Sequence, residues 1–139
     1  MTAPGERRPI AARGSAWAEA LTRRLAATAV TPNQISALSM VAAALAGGAF
    51  WLSGAAEGAT RAVLLLAAAA FIVARLLCNL LDGMLAVEAG RGTPTGAVWN
   101  ELPDRVADIL ILAGAGMGAG EPALGWSAAA FAVLTAYVR

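Results

Sequence analysis

The sequence predicts an all-α protein, a polytopic membrane helical bundle with an N-terminal amphipathic surface helix, and three observations carry that reading. Of 139 residues, 59% are hydrophobic and 14% charged, with a mean hydropathy of +0.67; an average soluble domain is roughly 25% charged. Four apolar runs cover about 33–53, 61–87, 95–117 and 123–138, and the first three approach or exceed the ~20 residues that a helix needs to cross a bilayer. The segments between them, 54–60, 88–94 and 118–122, are rich in glycine, proline or charge and too short to form a domain.

Taken in order, residues 1–14 form a basic tail, with Pro4, Gly5, Arg7, Arg8, Pro9 and Arg13 and no apolar period. From 15 to 30, Trp17, Ala20, Leu21 and Leu25 recur at helical spacing against Glu19, Arg23 and Arg24, the pattern of a helix lying on a membrane surface. Thr31-Pro32-Asn33 ends that helix and starts the first span. The membrane domain as a whole is read as 15–139. Trp17, Trp51 and Trp126 fall near the expected interfaces and act as anchors. Gly114, Gly116, Gly118 and Gly120 close the third span and read as close helix packing, since no strand precedes them as a nucleotide loop would require. Arginines precede the first span and stand at Arg91 and Arg139, whereas the opposite side has only Arg61. The positive-inside rule therefore places the N-terminus and the loop around Arg91 in the cytoplasm.

Charge and composition exclude several functions. A net charge of +1 offers no field for nucleic acid. The single Cys78 rules out an internal disulfide and reads as a packing residue; the absence of histidine removes the usual zinc ligand and proton carrier. Oxygen donors remain, which suits magnesium, manganese or calcium.

The donors are concentrated. All three aspartates, Asp82, Asp104 and Asp108, lie within 82–108, in segments where one charged side chain at mid-bilayer costs about 2.5–3.5 kcal/mol and is functional by default. Arg75, Asn79, Asp82 and Ala86 fall within about 60° of one another on one helix face. Gly96, Asn100, Asp104 and Asp108 repeat every four residues on the next helix, and Glu101 falls within about 20° of Asp108. Antiparallel packing sets Asp82 level with Asn100 and Asp104, and predicts an Arg75–Asp108 ion pair beneath them. Pro103 cannot donate to the carbonyl of Trp99, which frees that oxygen near Asn100. Gly83 and Gly96 leave the backbone open to a ligand.

Asp82-Gly83, Ala86, Gly96, Asn100 and Asp104 stand at the spacing D-x-x-D-G-x-x-A-R, eight residues, G-x-x-x-D-x-x-x-D, and so resemble the CDP-alcohol phosphotransferase (CDP-alcohol phosphatidyltransferase) family. Thr31-Pro32-Asn33-Gln34-Ile35-Ser36 and Ala136-Tyr137-Val138-Arg139 are similar to family features as well. The resemblance implies a six-span transferase that moves a phospho-substituted group, phosphatidyl being the expected one, from a CDP-linked donor such as CDP-diacylglycerol to an alcohol, releasing CMP in phospholipid biosynthesis. It implies Mg2+ or Mn2+, with Asp82 a metal ligand and Asp104 a metal ligand or the catalytic base that deprotonates the acceptor; Asn79, Gly83, Ala86 and Gly96 border the nucleotide. Asn79, Asn100 and Glu101 complete the expected metal set.

The chain departs from the pattern at Asn79 and Asn100, which replace aspartates, and at Val87, which replaces the arginine. Each lost carboxylate removes an ion contact worth up to about 4 kcal/mol at an effective dielectric of 20. Glu101 is the expected replacement for a carboxylate, and Arg75 or Arg91 for the arginine. With four spans where the family has six, the chain reads as truncated. The implied partners are the CDP-linked donor, a small alcohol acceptor and membrane lipids, with a homodimer as a possible assembly and no nucleic acid. The expected location is the bacterial inner membrane with the site facing the cytoplasm. Two alternatives stand beside this: a catalytically inactive homologue with a binding or assembly role, and an ion or proton transporter, which the clustering of polar residues at one end disfavours.

Overall fold

The computed structural model describes residues 15–88 and 96–138, with the side chains at 87, 88 and 96–100 outside the description. The tail at 1–14, the loop carrying Arg91 and the terminal Arg139 lie outside the described residues. Among those described, five helices follow in order: α1 (Ala16–Ala26), α2 (Pro32–Ser53), α3 (Gly58–Glu88), α4 (Gly96–Gly118) and α5 (Pro122–Tyr137). The all-α expectation is met.

Local chemistry sets the boundaries. α1 has Glu19 in its first turn and Arg23 and Arg24 in its last, each favourable to the helix dipole. It stops at Ala26, short of the 30 expected, where Thr28 Oγ1 donates to the Leu25 carbonyl at 2.6 Å. A serine or threonine bonded to a local carbonyl competes with helix continuation. α2 opens on a capping box: the Gln34 amide donates to Thr31 Oγ1 at 3.2 Å, and the Thr31 amide donates to Gln34 Oε1 at 3.0 Å. Pro32 takes the first helical turn, where its missing N–H costs nothing. Gly120, at φ 78°, makes the turn between α4 and α5; this is a different use from the packing expected of it.

α2 packs against α3 and α4, α5 packs against α4, and α1 packs against α3. Small residues build the core: Ala42, Ala43, Ala46, Ala49, Ala107, Ala113 and Ala129 are buried. At the α2–α4 contact a Cβ added to Gly114 would strike the Gly47 backbone, and one added to Gly116 would strike Gly125 of α5. Backbones that approach this closely associate through dispersion, the means available to helices in lipid.

Large apolar side chains point outward, among them Leu66, Val63, Trp51, Leu52 and Phe131. Exposed apolar surface of this extent marks a contact with membrane or partner. α2 and the Gly58–Ala86 part of α3 are long and apolar enough to cross a membrane. α4 carries Glu101, Asp104, Arg105 and Asp108, and α5 has 16 residues, so neither meets that test of length and composition unaided. At 31 residues, α3 is about 46 Å long against ~30 Å of hydrocarbon. One of its ends must therefore reach the headgroup layer, and its polar residues gather toward the Glu88 end.

Candidate functional site

The site lies where the second half of α3 meets the first half of α4, with the start of α2 alongside. Asp82 of α3 is 7% exposed, and Ser36, one turn beyond the capping box of α2, donates to its Oδ2 at 2.7 Å. An exchange across three helical segments follows: Asn79 Nδ2 donates to Asp104 Oδ1 at 2.5 Å. Because Asn79 and Asp82 are three residues apart on one helix face, this bond brings Asp82 and Asp104 to the same locality.

Arg75 serves both acids of α4. Its Nη2 reaches Asp108 Oδ1 at 3.1 Å, Asp104 Oδ1 at 3.4 Å and the Asp104 carbonyl at 3.5 Å. The Arg75–Asp108 pair matches the helical-angle expectation; the reach to Asp104 was not legible in the sequence. Arg105 adds a longer contact, Nη1 to Asp108 Oδ2 at 3.9 Å, and donates to the Ala132 carbonyl of α5 at 3.5 Å. Arg75 Nε and Arg105 Nε are buried and find no acceptor among the described residues. Among the described residues, Arg75 and Arg105 thus both serve the acids of α4.

The remaining expected residues divide. Gly83 and Ala86 are half-buried on α3, on the turn that follows Asp82, and Pro103 is buried inside α4. Glu101 is exposed at the start of α4. Gly96 begins α4, but its surroundings and the side chain of Asn100 lie outside the described residues, as does Arg91. Two contributors escaped sequence reasoning. Ser36 lies in the Thr31–Ser36 segment but had no role assigned to it. Thr22 of α1 is fully buried and donates to the Ala18 carbonyl at 2.8 Å, with Met84 Sδ at 3.8 Å. α1 thus docks on α3 two residues from Asp82 while Trp17 and Leu21 stay exposed for the membrane surface. Thr22, the one uncharged polar side chain of α1, was the available signal.

The donor set can be tested against a divalent ion. On the Asp104 side chain, Asn79 and Arg75 both address Oδ1 rather than Oδ2, and that side chain is 34% exposed. Among the described residues no three of His, Cys, Asp and Glu gather as a ready cage. Two carboxylates with the rest of the shell left to phosphate and water is the usual way proteins hold magnesium, so the residues fit one hard cation.

Over 115 residues the chain is 38% identical to the bifunctional IPC transferase and DIPP synthase of Rubrobacter xylanophilus, a match covering 81% of this chain and 24% of that protein. The chain thus spans about a quarter of the length of the curated relative it matches. No family model and no solved structure matches the chain.

Proposed function

We propose that this chain forms the transferase centre of a CDP-alcohol phosphotransferase-type membrane enzyme, moving a phospho-substituted group from a CDP-linked donor, such as CDP-diacylglycerol, to an alcohol and releasing CMP. The observation that supports the reading is the Asn79–Asp104 bond, which joins Asp104 to the face of α3 that also carries Asp82. A relative named as a transferase and a synthase supports the same reaction class.

The residues suggest a division of labour. Magnesium or manganese, when bound, would spread charge on the pyrophosphate and align attacking and leaving oxygens. Asp82 and Asp104 would hold it. Ser36 donates its hydroxyl proton to Oδ2 of Asp82, which orients the carboxylate. Asp104, the more exposed of the two, is the residue suited to take the acceptor hydroxyl proton. Gly83 and Ala86 present a side of α3 without bulk, suited to the flat cytidine. The arginine distribution supports a cytoplasmic opening, and the acceptor is a small alcohol.

CMP release from CDP-diacylglycerol by the purified protein, with Mg2+ and a panel of alcohols including inositol, inositol phosphate, glycerol phosphate and serine, tests the proposal. Turnover with at least one acceptor, lost on Asp104→Asn, is the expected result. No turnover together with no stabilisation by CDP would instead support an inactive homologue, a reading favoured by the double engagement of Asp104 Oδ1 by Asn79 and Arg75.

A further inference from the structure

Asp104 Oδ1 receives two donors from α3, one neutral and one charged. Asn79 stands at 2.5 Å and Arg75 at 3.4 Å, one helical turn apart on the same face. At such a separation Asn79 must present its amide nitrogen, because its carbonyl oxygen would set acceptor against acceptor. The Arg75 side chain is only 12% exposed, so its charge acts with little screening by water. A divalent ion bonded to this oxygen would have to displace the amide and sit against a fixed guanidinium.

The surrounding charges sharpen the point. Asp82 lies three residues beyond Asn79 on α3 and is buried, and Asp108 shares Arg75 with Asp104. A fourth carboxylate at position 79 would face Asp104 directly and crowd Asp82, with Arg75 already divided between two acids. Carboxylates so placed cannot all ionise without a proton or a cation between them. The amide of Asn79 relieves that conflict permanently, by donating where a carboxylate would repel.

We infer that Asn79 and Arg75 together take the place of one cation at Asp104 Oδ1, so that this chain binds at most one divalent ion in the cluster and gains another on Asn79→Asp. The inference deepens the proposed function and rests on its reading of the cluster as a cation site. Mn2+ suits the test because free and bound ions are distinguished by their paramagnetic resonance.

The experiment counts Mn2+ bound per chain for the detergent-purified protein and for Asn79→Asp, and follows thermal unfolding of both in EDTA and in saturating Mn2+. The unaltered chain should bind one ion. Asn79→Asp should bind one more, unfold several degrees lower than the unaltered chain in EDTA, and recover in Mn2+. Asn79→Leu, which can neither donate nor coordinate, should be destabilised in EDTA without that recovery. Two ions on the unaltered chain, or an unchanged count on Asn79→Asp, would overturn the inference while leaving the transferase reading intact. No ion on the unaltered chain and one on Asn79→Asp would support it and remove the metal from the proposed function; no ion on either protein would overturn both. Should Asn79→Asp fail to fold, the count on the unaltered chain decides alone, one supporting the inference and two overturning it.

Discussion

The two halves of α4 are held by opposite means. From Leu110 to Gly118 the helix lies against α2 and α5 so closely that a single added carbon at Gly114 or Gly116 would enter a neighbour's backbone. From Glu101 to Asp108 the same helix meets α3 through side-chain bonds, with Asn79 and Arg75 reaching across to Asp104 and Asp108. The Leu110–Gly118 half is fixed by shape, and the groove beside it is lined by apolar residues such as Trp51, Leu110 and Met117. The second is fixed by directional bonds between longer side chains, which keep the helices apart and leave Asp104 accessible. A rigid glycine-packed half thus supports a polar half whose geometry chemistry can use.

The sharpest way to break the comparison is to fill the tight half. Gly114→Leu should cost about 3 kcal/mol, at the upper end of overpacking, seen as a large fall in thermal midpoint in detergent. Gly48→Ala is its control, because a Cβ there meets nothing; it should change stability by less than about 1 kcal/mol, in the stabilising direction. Equal losses at the two positions would show that close approach is not what binds α2 to α4.

Changes in the polar half should separate activity from stability. Asp104→Asn should lower the rate of CMP release at least about a hundredfold, the scale of a lost general base, with the helical content unchanged by circular dichroism. Retained turnover would remove Asp104 as the base. Arg75→Met should cost about 1–3 kcal/mol in thermal or denaturant unfolding. That is less than the 3–5 kcal/mol of a fully buried pair, because Asp104 and Asp108 remain 34% and 30% exposed. Ser36→Ala should cost about 1 kcal/mol and raise the Mg2+ concentration that gives half-maximal turnover, with Ser36→Thr restoring both. Loss of stability with an unchanged Mg2+ requirement would make Ser36 a packing residue only.

What the sequence made legible follows from the range of each signal. The helices were readable because long apolar runs end at local marks, Pro32, Gly54 and Pro122, that act within a few residues. The aspartates stood out through the cost of placing charge in such runs, and the Arg75–Asp108 pair followed from helical angles on two neighbouring helices. Ser36 and Asp82 are 46 residues apart, and their bond depends on the register of α2 against α3, which no single-helix pattern contains. The docking of Thr22 on Met84 is hidden for the same reason. Arg75 could be paired with one acid by angle, but only the separation of α3 and α4 decides that it also reaches Asp104. The early end of α1 turned on a threonine hydroxyl finding a carbonyl, a choice that apolar periodicity does not register.

The central claim is that Asp82 and Asp104 share a cation that grips a pyrophosphate. Pulsed paramagnetic resonance on the Mn2+-loaded protein with CDP tests it directly. The account predicts phosphorus hyperfine coupling to the bound Mn2+, lost in Asp82→Asn and in Asp104→Asn. Mn2+ that binds without any phosphorus coupling, or a coupling that survives both substitutions, would contradict it.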